Sequence, residues 1–381
     1  MNIAFFVQYS HAAGTYFRWH NLAIALQELG HEIDIYAGDH SYKSKIRHEV
    51  KDGVNYYITP SLPSVRIFYV PNDFITGLRR AKRLPEKDYD VYHLFQPFAN
   101  AYLPWKVLRS KKKKSLFIFD WDDLWNKGLL KPAKTIRELY FNKITIYLEK
   151  KIPFLSDGVT VCSTFLQSKL PLHIPSKILS NGYWPKELKS KVEMRKKWGL
   201  EDSIFYISYI GKTAGELDWI LDSLDYIDSF VNLIIAGPSS TFLETIDERK
   251  KAKIKYLGEV TPEDAREIAT ASDLGLIPLE NSLFNQSRFP IKFFDFLSVH
   301  TPVYMSEVGE IANIARGINS AIIGSSDREE WVKGLNVAIE KIRSSKPKSL
   351  DFDKISDYSW SSIAKQLMDF YYNTYKKKYE K

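Results

Sequence analysis

Cysteine is nearly absent: the 381 residues hold one, Cys162. No internal disulfide can form, and neither a CxxC pair nor a cysteine metal cluster exists, so a reducing, cytoplasmic setting is expected. Missing too is any run near the ~20 apolar residues that a membrane span needs. The first ten residues, "MNIAFFVQYS", lack the basic n-region of a secretory signal. The expectation is a soluble or at most peripheral protein. There is no GxGxxG, so a dinucleotide cofactor is not supported. Without a zinc finger, helix-turn-helix cue or aromatic RNA-binding signature, no nucleic-acid partner is expected.

What is there is ample material for cores, 44% apolar and 14% aromatic. The length exceeds one ordinary core, which makes two domains the default. The net charge of +8 is gathered in patches, "KVLRSKKKK" at 106–114 and "LRRAKR" at 78–83. Two readings stand side by side for them: a solvated helix end plus a charged turn, or contact with an anionic membrane surface, where each basic residue contributes roughly 1 kcal/mol.

Short β-rich runs alternate with helical segments, the pattern of βα units and parallel sheets. Strands are expected at 2–8, 31–38, 54–58, 90–95, 115–120, 158–163 and 176–180. Helices are expected over 15–30, 99–109 and 134–150. The polar stretch "NGYWPKELKSK" (181–191) reads as a linker. Six further strands follow at 204–211, 231–237, 254–258, 273–278, 301–305 and 320–324, then a final amphipathic helix from "YSWSSIAKQLMDFYYNTY". The expected domains are 1–180, with 361–381 returning to it, and 181–360.

In open α/β sheets ligands bind beyond the carboxyl ends of the strands, which singles out four loops. Gly14 lies in the turn after the first strand, where backbone can approach a ligand at a helix start. "FIFDWDDLW" (117–125) ends an apolar run in Asp120, Asp122 and Asp123, interleaved with Trp121 and framed by Trp125. One aspartate could cap the next helix, but three exceed that need. Either a divalent cation or a sugar explains them, because carboxylates accept from hydroxyls while indole faces stack on the ring. Lys212 in "GKTAG" follows a strand and is placed to meet a phosphate. In "RFPIKFFDFLSVHTPVY" (288–304), Pro290 suits a first helical turn. Lys292 and Asp295, three apart, share a face, as a surface ion pair or as a site.

That last stretch resembles the donor site of GT-B glycosyltransferases, family 4 in particular, whose pattern runs P-x-K-x-x-E-x-x-A-x-G-x-P-V-V. Here it reads Pro290, Lys292, Asp295, Ser298, His300, Pro302, Val303. "GTYFRWHNLAIALQELGHEIDIYAG", "DVYHLFQP", "VTVCSTFLQSKL…ILSNG" and "YSWSSIAKQLMDFYY" resemble further family landmarks in the same order. The resemblance implies two Rossmann-like domains facing across a cleft. It implies transfer of a sugar from a nucleoside diphosphate sugar to a glycan or lipid-linked acceptor hydroxyl, with retention and without a bound metal or cofactor. Donor contacts would be Gly14, Lys212, Thr213, Pro290, Ile291, Lys292 and Asp295. Acceptor contacts would be Arg18, Asp120, Trp121 and Asp123, with Asp122 and Lys212 catalytic. Departures are Asp122 where the family often has histidine, Ser287 where its first donor-site glutamate falls, Gly215-Glu216 where a second lysine is expected, and His300 for a glycine. The alternatives are a non-catalytic partner subunit that binds nucleotide sugar, a sugar-nucleotide 2-epimerase, or a metal on Asp120, Asp122 and Asp123.

Overall fold

The computed structural model describes residues 1–10, 14–39, 45–60, 72–83, 87–211, 214–237, 239–344 and 352–380. The chain forms two compact units: Met1–Asn181 with Ser287–Phe289 and Trp360–Lys381, and Gly182–Gln286 with Pro290–Ser359.

The first unit is an eight-stranded sheet of β1 (Asn2–Phe6), β2 (Glu32–Asp39), β3 (Arg47–Lys51), β4 (Val54–Pro60), β5 (Val91–Phe95), β6 (Leu116–Trp121), β7 (Gly158–Val161) and β8 (Ser176–Ile178), in the order β3-β4-β2-β1-β5-β6-β7-β8. Every pairing is parallel except β3 with β4. Strands covered on both faces read as unbroken apolar runs, and Ile3 to Val7 are indeed buried throughout. β3, "RHEVK", is too charged to read as a strand; it is an edge. A two-residue turn, Asp52-Gly53, with both φ positive, folds it back on β4.

The helices that position the site are α1 (Tyr16–Glu28), α2 (Phe74–Lys82), α3 (Ala99–Lys111) and α4 (Ile136–Leu155). α4 starts in a capping box between Thr135 and Glu138. α2 was not visible as a helix in the sequence. Asp73 caps it by accepting from the Ile75 and Thr76 amides. Of the 78–83 patch, Lys82 and Arg83 stay exposed, but Arg80 turns inward. Its guanidinium is buried and donates to the carbonyls of Val7, Tyr36 and Asn100, and burial brings its pKa down to about 9. The 106–114 patch keeps exposed lysines, but Arg109 pairs with Asp157 and Lys112 with Asp88.

The terminal helix, Trp360–Tyr379, packs on α1. Tyr371, fully buried, lies with its hydroxyl 2.6 Å from His93 Nδ1 on β5; burial lowers that imidazole to about 3, so it stays neutral.

The second unit is a six-stranded, all-parallel sheet of β9 (Phe205–Ile210), β10 (Val231–Ala236), β11 (Ile254–Gly258), β12 (Leu274–Ile277), β13 (Val303–Ser306) and β14 (Ala321–Gly324), ordered β11-β10-β9-β12-β13-β14. That is the doubly wound order 3-2-1-4-5-6. The first unit repeats it around β1, with additions at both edges. Ligand-binding crevices belong where the order reverses, between β1 and β5 and between β9 and β12.

Candidate functional site

In the first unit the carboxyl ends of β1, β5 and β6 bring the acidic loop together with α1. Arg18 reaches Asp120 with two parallel hydrogen bonds, 2.8 and 2.9 Å, and donates its other nitrogen to Ser180 O and Asn181 Oδ1. Asp120 also accepts from Thr160 Oγ1 at 2.6 Å. Burial alone would push the Asp120 carboxyl up, but Arg18 holds it below the usual range. Both side chains are 1% exposed. This corrects the acceptor-binding assignment of Arg18 and Asp120: the pair is consumed within the protein. Trp121 is corrected likewise, because it is buried and its indole N–H donates to Glu149 Oε1 at 3.0 Å, leaving no free face for stacking.

Glu149 organises the rest of the loop. It projects inward from α4 and accepts from Trp121, from the Trp125 amide at 2.7 Å and from the Asn126 amide at 2.9 Å. Neither Asp122 nor Asp123 caps the next turn, because Trp125–Leu129 begins without a side-chain cap.

Asp122 is buried with two neighbouring carboxylates. Burial, then Asp123 and Asp120, push its carboxyl well above the usual range, and Arg18 draws it back in part. Asp123 is raised by burial too, with Arg288 the chief opposing charge. Among the described residues no group of three or more His, Cys, Asp or Glu side chains is arranged to hold a metal ion; Asp120 is turned to Arg18 instead.

Gln96 was missed in the sequence. It directly follows β5 with φ +66, a left-handed conformation that non-glycine residues seldom adopt. Its amide nitrogen donates to Asp122 Oδ1, and its oxygen accepts from Trp125 Nε1 at 2.6 Å. One side chain thus fixes both the buried acid and the half-buried indole. Gly14 lies ahead of α1, exposed, with φ +54.

Ser287 explains the missing glutamate. It is fully buried; its hydroxyl accepts from the Leu124 amide at 3.3 Å, and its carbonyl accepts from Cys162 Sγ at 3.1 Å and Ser163 Oγ at 2.7 Å. A glutamate there would add a further buried carboxylate beside the loop.

In the second unit Lys212 and Thr213 lie outside the described residues. Gly211 marks the end of β9, and a Cβ on it would sit 3.5 Å from Lys292 Nζ. Gly237, at φ +109, lets the β10 turn come close: a Cβ there would be 2.5 Å from the Gly211 carbonyl oxygen. Lys292 opens the helix Lys292–Leu297, after Pro290 and Ile291. Its partner is not Asp295. The ammonium pairs with Glu216 and lies 4.6 Å from the centre of the Tyr209 ring, whose hydroxyl donates to Glu216 at 3.2 Å. Asp295, in the same helix's first turn, is only partly exposed. Burial pushes its carboxyl up to about 6, and Arg266 pulls it back in part. His300 keeps the backbone of the glycine it replaces, with φ +62.

Residues 14–182 match the sequence pattern of Glycosyltransferase Family 4, and residues 201–341 that of Glycosyl transferases group 1. With two doubly wound units, the chain belongs to the glycosyltransferases of the GT-B fold and resembles family 4. It is 22% identical over 216 residues to alpha-galactosylglucosyldiacylglycerol synthase of Streptococcus pneumoniae, which is 52% of this chain and 54% of that one. The chain therefore aligns with about half the length of that curated relative.

Among solved structures it is similar to sucrose-phosphate synthase of Thermosynechococcus elongatus, with TM-score 0.75, 14% identity and 98% of both chains covered. WaaG, a glycosyltransferase of lipopolysaccharide biosynthesis, gives TM-score 0.64 and 12% identity over 100% of both chains. Anabaena HepE in complex with UDP and glucose gives 0.64 and 13%, covering 96% of this chain and 98% of that one.

Proposed function

We propose that this glycosyltransferase moves a sugar from a nucleoside diphosphate sugar to the hydroxyl of a glycan or lipid-linked acceptor, retaining the anomeric configuration. One observation carries the reading: a partly buried lysine, Lys292, stands beside Gly211 at the end of the switch-point strand β9, with Asp295 one turn further on. A diphosphate seated there meets Lys292, and the ribose hydroxyls donate to Asp295. Lys212 and Thr213 follow Gly211 directly and would complete the phosphate contact. Pro290 shapes the turn but has no N–H, so the backbone donors are Ile291 and Lys292. Their helix has six residues, which leaves most of the charge stabilisation to the lysines. Charge growing on the departing diphosphate is met by groups already in position, and the leaving phosphate oxygen accepts the proton of the attacking hydroxyl. Asp122 and Asp123 are the acceptor-side candidates, since Arg18 does not consume them.

The similarity to a glycolipid synthase and to a glycosyltransferase of lipopolysaccharide biosynthesis favours a lipid-linked acceptor, and so an acceptor at a membrane surface. Among the described residues no helix is long and apolar enough to cross a membrane. A peripheral association is the form this reading takes.

Thermal shifts with UDP, GDP and ADP test the donor site. A ligand at 100 times its Kd adds about 2.7 kcal/mol of stability. One nucleotide should shift the wild type but shift Lys292→Ala and Asp295→Ala far less. Glu216→Gln, which releases the Lys292 ammonium, should tighten binding several-fold. No shift from any nucleotide would leave the second reading only in the form of a non-catalytic subunit that binds a protein partner and no nucleotide sugar. The Lys292–Glu216 pair favours that reading, because it already neutralises the lysine.

A further inference from the structure

α4 turns Thr145, Leu148, Glu149 and Ile152 inward. Its other face carries Ile136, Leu139, Lys143, Tyr147, Lys150 and Phe154, spaced by three and four residues, so they form one stripe along the helix. Ile136 is 86% exposed, Phe154 62%, Tyr147 52% and Leu139 44%. The stripe runs about 27 Å at 1.5 Å per residue. Leu172, fully exposed, extends it at one end beside His173, whose ring lies 6.4 Å from that of Phe154. Lys151 flanks it with its ammonium 4.9 Å from the Tyr147 ring centre, and Lys131, Lys134 and Arg137 surround the other end.

Among the described residues no carboxylate on that face answers Lys143, Lys150 or Lys151. Glu138 is engaged with the amides of Lys134 and Thr135. Glu149 points inward to the acidic loop. Asp157 pairs with Lys378.

We infer that this face of α4 rests on an anionic lipid bilayer, with the helix lying in the interface plane. An apolar protein partner would have to bury Lys143 and Lys150 in the middle of the contact, which is costly without matching acids. A bilayer interface accepts both kinds of side chain. Ile136, Leu139, Tyr147 and Phe154 enter the headgroup–acyl boundary, while the lysine stems lie alongside and their ammonium groups reach lipid phosphates. The docking surface is thus α4, and neither 78–83, where Arg80 is internal, nor 106–114. This deepens the membrane part of the proposed function and rests on that part alone.

The test is flotation of the full chain with phosphatidylglycerol-containing vesicles and with pure phosphatidylcholine vesicles. The wild type should float with the anionic vesicles and lose them as salt rises. The triple variant Ile136→Ser, Leu139→Ser, Phe154→Ser should partition at least ~10-fold less. The triple Lys143→Ser, Lys150→Ser, Lys151→Ser should lose about fivefold per lysine on anionic vesicles only. Lys111→Ser, Lys113→Ser, Lys114→Ser should float like the wild type. Undiminished flotation of either α4 triple overturns the inference. So does a loss confined to the Lys111 triple, or a wild type that does not float. The nucleotide thermal shift, run on the same variants, verifies their folding. It also separates the two failures: a missing shift in every chain sinks the donor site, whereas a retained shift without flotation sinks the docking surface.

Discussion

The two units share a strand order and differ in what they do with charge at the point where it reverses. In the first, Arg18 and Asp120 satisfy each other and leave Asp122 as a surplus buried acid. In the second, Lys292 and Glu216 pair at the end of β9, while Asp295 stays partly exposed without sharing that lysine. One switch point spends its cation on holding the fold together. The other keeps a cation that an anionic ligand can compete for. The same topology therefore does not make the two crevices equivalent; the side chain opposite each strand end decides.

The strongest way to break this comparison is Arg18→Ala. It strands the buried Asp120 charge, so the first unit should lose about 3–5 kcal/mol in urea unfolding, with nucleotide binding by folded protein unchanged. A loss under about 1 kcal/mol would mean that the pair is no more structural than its counterpart at β9.

Asp295→Asn sharpens the other side. The folded carboxyl holds its proton up to about pH 6, whereas the unfolded chain releases it near 3.8. The folded state binds more protons between those values, so this residue's contribution to stability falls as pH rises through that window. Replacing it should raise the melting temperature above pH 6 by a few degrees, on the order of 1–3 kcal/mol. The two proteins should melt alike below pH 3.8, while nucleotide affinity drops. Equal melting curves at high pH would remove the idea of an acid held at a cost to the fold.

The smallest effect is expected at Gln96. Gln96→Ala unfastens Asp122 and Trp125 together, for a stability change of about 1 kcal/mol, but kcat should fall roughly tenfold with KM little changed. A proportionate rise in KM alone would make Gln96 a binding residue rather than one that positions Asp122.

The parallel strands were legible because burial on both faces forces long apolar runs, as in "NIAFF" and "VNLIIA". β3 was not, since three of its five residues, Arg47, Glu49 and Lys51, carry charge; the Asp52-Gly53 pair was the signal that could have revealed it. α2 hid behind its own basic residues. At the site, the acidic loop was visible as a cluster, but its division of labour was not. Asp120 is set apart from Asp122 by an arginine 102 residues away in sequence, and Asp122 is held by a glutamine 26 residues upstream. Lys292 and Asp295 looked like partners from spacing, yet Glu216, 76 residues away, holds the lysine. Local spacing reports which face a residue occupies and is silent about what the chain folds against it.

Cys162 carries a last consequence. Its thiol is wholly enclosed, donates to the carbonyls of Asp122 and Ser287, and burial raises its pKa well above the ordinary thiol value. Being the sole cysteine of the chain, it makes the protein a natural single-label clock. An alkylating reagent reacts only during the fraction of time that the Ser287 strap and the acidic loop part. The labelling rate divided by that of an unprotected cysteine at the same pH gives the opening equilibrium of this one region, read without any engineered probe.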